Sequence, residues 1–181
     1  MPTLPKHLKQ AFPLLLLYFA TAIILVQWNN PPQVALAAVL IPPCVWLSYM
    51  DLQKFEIPDG ATVLIVLFAL GYLWVSARGS IALHMVTGVA LTALLWIVGA
   101  VYYFRTGEEG LGIGDAKLFG AGGILMGPWK LPELFLLASL GGITAYFLAR
   151  MTRKNIEAGL PFGPFIAYSI YILSFLDPLF L

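Results

Sequence analysis

The sequence predicts an all-α protein, a polytopic integral membrane helix bundle organised as one domain over residues 1–181. Two observations carry this. The chain is 60% hydrophobic and only 10% charged, with a mean hydropathy of +0.88, well outside the balance of soluble domains. It also divides into seven apolar segments, at 11–28, 34–50, 61–77, 81–104, 113–129, 131–149 and 160–181, and a hydrocarbon core about 30 Å thick takes roughly 17–25 helical residues to cross. Pro, Asn, Gly and charged residues punctuate the gaps.

Each segment has its own signature. The first follows Lys6 and Lys9 like a secretory leader, but the "NNPPQ" after Trp28 lacks a small-x-small cleavage site, so it reads as a retained span. The second contains Pro42 and Pro43, which predict a kink, and ends at Asp51. The third follows "KFEIPDG", and the fourth is the longest apolar run. The fifth is short and glycine-rich and either crosses or dips in and returns, which would leave six crossings. The sixth and seventh flank a basic loop, the seventh beginning around Pro161 and Pro164. Trp28, Trp46, Trp74 and Trp129 suit interfacial or lipid-facing positions.

Charge distribution arbitrates the fifth segment. With seven crossings and the N-terminus inside, the cytoplasmic side holds Lys6, Lys9, Lys54, Arg105, Lys117, Arg150, Arg153 and Lys154, and only Arg78 and Lys130 lie outside, eight against two. A re-entrant fifth segment gives six against four. The positive-inside tendency prefers seven. The ends of segments two and five, with Asp51 and Asp115, then share the cytoplasmic face.

Composition also excludes function classes. A formal net charge of +1 provides no basic field for nucleic acid. Cys44 is the only cysteine, and His7 and His84 are far apart, so neither a disulfide within the chain nor a metal site is expected, and no cofactor is implied.

Of the nine acidic residues, Glu56, Asp59, Glu108, Glu109, Glu133 and Glu157 fall near predicted interfaces, where a carboxylate is inexpensive, and Asp177 lies in the last turns of the final span. Asp51 and Asp115 instead sit where apolar helix meets loop. Ionisable groups there cost free energy, at least about 2.5 kcal/mol at a helix centre, and call for an explanation. Capping explains Asp115 equally well, since an Asp before a helix accepts from its free N–H groups. The alternating Gly110, Gly112 and Gly114 permit backbone shapes closed to other residues, and Gly120, Gly122, Gly123 and Gly127 let neighbouring helices approach closely. A phosphate-binding loop fits poorly: there is no Walker pattern, and the aspartate would repel the anion.

Three stretches together carry a resemblance: "MDLQKFEIPDGATVLIV" (50–66), "GLGIGDAKLFGAGGILMG" (110–127) and "GLPFGPFIAYS" (159–169). In this order they resemble the membrane-embedded aspartic peptidases of the type IV prepilin and preflagellin family, over roughly residues 45–170. The resemblance implies Asp51 and Asp115 as the catalytic pair. It implies Gly112, Gly114, Lys117, Pro58 and Asp59 as residues shaping the site, and Pro161, Phe162, Gly163, Pro164 and Phe165 as a wall of the substrate groove. Its substrates would be prepilin or pseudopilin precursors, cut at the cytoplasmic face of a bacterial-type inner membrane. Glu56, Asp59, Glu108 and Glu109 are then candidates for attracting the basic leader. With one cysteine and no cysteine-paired cytoplasmic region between the first two spans, the chain is similar to the short, peptidase-only members, such as those of tight-adherence pili, and methylation of the new N-terminus is not expected.

Two other classes fit the same aspartates. A small proton-coupled transporter would use them as an ion relay, but such sites usually lie near mid-membrane between repeated halves; these aspartates lie at span ends and the chain has no internal repeat. An inactive scaffold would not need them at all.

Overall fold

The computed structural model describes residues 6–108, 110–151 and 160–176. The described residues form seven α-helices and no strand: α1 (Lys6–Leu25), α2 (Pro31–Lys54), α3 (Asp59–Ser76), α4 (Ile81–Thr106), α5 (Ile113–Met126), α6 (Leu131–Met151) and α7 (Gly163–Leu173). Each of the seven apolar segments contributes one helix. Four of them, α2, α3, α4 and α6, are long and apolar enough to cross a membrane. The 14 residues of α5 rise only about 21 Å at 1.5 Å each. Gly127, at φ 66°, ends it.

Local chemistry explains the element boundaries. Pro31 occupies the first turn of α2, where its missing N–H costs nothing, and the Asn30 amide donates to the Gln33 side chain at 3.1 Å. The helix runs unbroken through Pro42 and Pro43 and continues past Asp51 to Lys54, one turn further than the sequence suggested. Phe55 then adopts a left-handed conformation, φ 57°, and donates its amide to the Asp51 carbonyl at 2.9 Å. It is the one non-glycine residue at positive φ among those described, and it turns the chain out of the helix directly below Asp51. Pro58 precedes the first turn of α3, and Gly107, at φ 74°, terminates α4.

The central element is α5, which packs against α3, α4 and α7, while α2 packs against α1, α3 and α7. Nine of its residues are buried, among them Leu118, Phe119 and Leu125. Such a position inside a bundle needs small neighbours. At Gly88 of α4 an added Cβ would lie 2.6 Å from the Gly120 carbonyl oxygen and 2.3 Å from Ile124 Cγ1. The two backbones are therefore in direct contact, which only the absence of a side chain at Gly88 permits.

The opposite end of the bundle is closed by side chains. His84 Nδ1 lies 2.9 Å from the Ile124 carbonyl near the end of α5. The Lys130 amine donates to the carbonyls of Leu173, the last residue of α7, and of Leu176 just beyond it, satisfying groups that a helix terminus leaves free. Glu133 corrects an expectation: it is 1% exposed, not an interfacial carboxylate, because the first turn of α6 is covered by the bundle. Trp46, Trp74 and Trp129 are exposed on the outer surface, as expected for lipid- or interface-facing residues. Asp177 and Glu157, with the side chain of Trp28, fall outside the described residues.

Candidate active site

Five helix ends meet at one end of the bundle: the last turns of α2 and α4 and the first turns of α3, α5 and α7. The ends of α2, α3, α4 and α5 enclose a cavity of about 630 Å³ with both Asp51 and Asp115 in its wall. The two carboxyl groups lie within electrostatic reach of each other. Sequence had left their proximity as a topological possibility; the packing of α2 beside α3 and α3 beside α5 brings them together.

Each aspartate is held by a backbone amide. Asp51 is buried at 5% exposure, and its Oδ2 accepts the Gly163 N–H, in the first turn of α7, at 2.8 Å. Helix N-termini carry partial positive charge, so α7 aims a donor and a dipole at this carboxylate. A Cβ on residue 163 would stand 2.8 Å from Asp51 Oδ2 and 3.1 Å from Ile57 Cδ1. Gly163 is therefore required for the carboxylate to reach the amide. Asp115 is the third residue of α5, and the Gly112 amide donates to it. Asp115 is therefore not the N-cap considered from sequence, since Gly112 holds that position and the cap makes no side-chain bond, and its carboxyl faces the cavity.

The residues expected to shape the site divide into three groups. Gly112, Gly114, Asp59 and Lys117 line the cavity, and Lys117 Nζ donates to Asp59 Oδ1 at 2.8 Å, tying α5 to α3. Pro58 lies outside the cavity wall and starts α3. Of the segment Pro161–Phe165, expected as a wall of the substrate groove, no residue lines this cavity. Phe162 packs against Gly142 and Phe165 against Gly141, both in α6, and the motif reaches the site through the Gly163 amide alone. Aromatic rings next to glycines on a facing helix find space inside the bundle, which is why they turn away from the cavity.

Among the acidic residues expected to attract a cation, Glu56 lines the cavity, Asp59 is engaged by Lys117, Glu108 is exposed outside the cavity wall, and Glu109 falls outside the described residues. The Lys117–Asp59 pair is exposed on both sides, so its contribution to stability is small. Lys117→Met is expected to change unfolding stability by less than about 1 kcal/mol, checked by thermal unfolding in detergent.

Residues that sequence reasoning missed are Ile57, Leu111 and a row along α4, Leu95, Trp96, Gly99, Ala100 and Tyr103. Ile57 fills the space between Gly114 and Gly163, the two glycines flanking the aspartates. Its place between two motif residues, Glu56 and Pro58, was the available signal. The α4 row carries none, because apolar residues at helical spacing look alike whether they face lipid or a cavity.

The fold and site together define a class: a helical membrane protein with two aspartates facing one cavity at the end of its bundle. The type IV leader peptidase family model matches residues 38–147, and the chain belongs to that family. Curated relatives are named prepilin leader peptidase/N-methyltransferase. That of Escherichia coli (strain K12) is 34% identical over 67% of this chain and 54% of its own length. That of Pectobacterium carotovorum subsp. carotovorum is 33% identical over 72% and 47%, and that of Aeromonas hydrophila 31% identical over 76% and 48%. The chain thus spans about half the length of the curated relatives it matches. No solved structure matches significantly.

Proposed function

We propose that this protein is a membrane-embedded aspartic endopeptidase that removes the short basic leader from type IV prepilin-like or pseudopilin precursors at the cytoplasmic face of a bacterial inner membrane. Asp51 and Asp115 form its catalytic pair. The observation that carries the reading is that both carboxyl groups face one cavity at a single end of the bundle.

Two carboxyl groups sharing a site do not both ionise cheaply, so the pair holds one proton over a useful pH range. The ionised member takes a proton from water as its oxygen attacks the scissile carbonyl, and the protonated member donates to the carbonyl oxygen. Collapse of the tetrahedral intermediate then breaks the C–N bond, and a carboxyl proton passes to the leaving amine. The products are a leader ending in a carboxylate and a precursor with a new N-terminus. The pair titrates as a unit. Glu56, in the cavity wall beside the pair, adds negative charge that favours a basic leader.

The direct test co-expresses the protein with a prepilin-type precursor and follows leader removal by gel shift, comparing the unaltered chain with Asp51→Asn and Asp115→Asn at matched membrane levels. A third variant tests how Asp51 is held. Gly163→Ala places a methyl group 2.8 Å from Asp51 Oδ2, and is expected to slow cleavage about 10²-fold, the cost of a displacement of about 1 Å in a catalytic group. Unchanged cleavage by Gly163→Ala would mean that the α7 amide does not position the carboxylate.

A further inference from the structure

Ile57 stands in the connector between α2 and α3, and its side chain is part of the cavity wall. The backbone there is constrained from both sides. Phe55 turns the chain out of α2 at φ 57°, and Pro58 holds φ −68° at the start of α3. A residue before proline is confined to extended conformations. A β-branched side chain on such a backbone has few rotamers, so Ile57 is a stiff body and not a flexible filler.

Two backbones lie against it. A Cβ on residue 114 would stand 3.0 Å from Ile57 Cβ and 3.6 Å from its Cδ1, and a Cβ on residue 163 would stand 3.1 Å from that same Cδ1. One terminal methyl group therefore reaches both glycines. Each glycine is tied to one aspartate. Gly114 immediately precedes Asp115 in the first turn of α5, and the Gly163 amide, in the first turn of α7, donates to Asp51 Oδ2 at 2.8 Å. The two helices pack against each other in the bundle, and at their first turns the Ile57 side chain stands between them.

We infer that Ile57 is a positioning residue for the aspartate pair: its side chain is the spacer that fixes the first turns of α5 and α7, and with them the two carboxyl groups, at their working separation. This rests on the peptidase reading above. Close-packed interiors pass on small changes of volume, and a displacement of about 1 Å in a catalytic group costs about 10²-fold in rate. A hydrocarbon side chain at this point also keeps the local dielectric low, so each carboxyl group feels the charge of the other strongly.

The test follows cleavage of a prepilin-type precursor by the full chain in membranes or detergent. Ile57→Ala is expected to lower kcat about 10²-fold, while KM changes less than about twofold because the side chain acts on the aspartates and not on the precursor. Ile57→Val removes the shared terminal methyl and should fall between Ile57→Ala and the parent. Ile57→Leu keeps the volume and should recover most of the rate. The ionisable groups of the cavity wall are Asp51, Glu56, Asp59, Tyr103, Asp115 and Lys117, and all are retained in these variants. Water entering the space left by Ile57→Ala weakens the coupling of the two carboxyl groups, so the acid and basic limbs of its kcat profile are expected to move closer together. Leu73→Ala, at a buried residue near the far end of α3, supplies the comparison: it should lower the thermal midpoint and leave both limbs in place. The inference is overturned if Ile57→Ala keeps the parental kcat, if its loss lies in KM alone, or if its limbs stay at the parental positions while its rate follows the thermal midpoint. Failure of the unaltered protein to cleave the precursor is a separate result, which removes the peptidase reading and this inference with it.

Discussion

Asp51→Asn and Asp115→Asn are each expected to reduce leader removal by about 10³-fold or more, the scale of losing a positioned acid or base together with its partner's function. The effect should be the same size for either variant, and the double variant should be little worse than the singles, because one proton shared between two groups is a property of the pair. Folding should be largely preserved. Asparagine keeps the shape of aspartate, and its side-chain oxygen can still accept the Gly163 amide that Asp51 Oδ2 holds at 2.8 Å. Membrane level and thermal midpoint should therefore stay near those of the unaltered chain while product disappears. Normal processing by either variant would rule out the aspartic mechanism and favour a scaffold or ion-relay role for these residues.

Gly88→Ala is expected to be the most damaging single change far from the carboxylates. Replacing glycine by alanine inside an exposed helix ordinarily stabilises by about 0.8–1 kcal/mol. Here the sign reverses. The added Cβ meets the Gly120 carbonyl oxygen at 2.6 Å, and that atom belongs to a helix backbone, so α4 and α5 must move apart. Overpacking of this kind costs about 1–3 kcal/mol. Gly71→Ala supplies the comparison, since an added Cβ there meets nothing within 4 Å. Thermal unfolding in detergent should show Gly88→Ala lower and Gly71→Ala equal or higher than the parent. Because α5 carries Asp115 in its first turn, Gly88→Ala should also slow leader removal. Equal midpoints for the two alanine variants would mean that the α4–α5 contact is looser than described.

Much of this architecture was legible from residues alone. The seven apolar segments were visible because a helix in hydrocarbon must hide its backbone polar groups and present apolar side chains, a requirement imposed on every residue of the segment. Asp51 and Asp115 stood out for the same reason, since a carboxylate at such a boundary is costly enough to need a cause. The part played by 161–165 was only half legible. The motif marked the segment, and its proline and phenylalanine residues suggested a wall, but the group it presents to Asp51 is a backbone amide. Every residue but proline has one of those, so sequence cannot distinguish it. Glu133 looked interfacial because its position near a helix start says nothing about what covers that turn.

By itself, then, the sequence determined the helical membrane class, the number and order of the helices and the two aspartates proposed as the catalytic pair, since each follows from composition or from the cost of a charge beside hydrocarbon. Tertiary structure alone decided that Asp51 and Asp115 share a cavity and that Gly163 and Gly112 hold them. Those facts depend on which helix faces which, and in an almost uniformly apolar chain the faces of a helix differ too little in side-chain polarity for periodicity to report them.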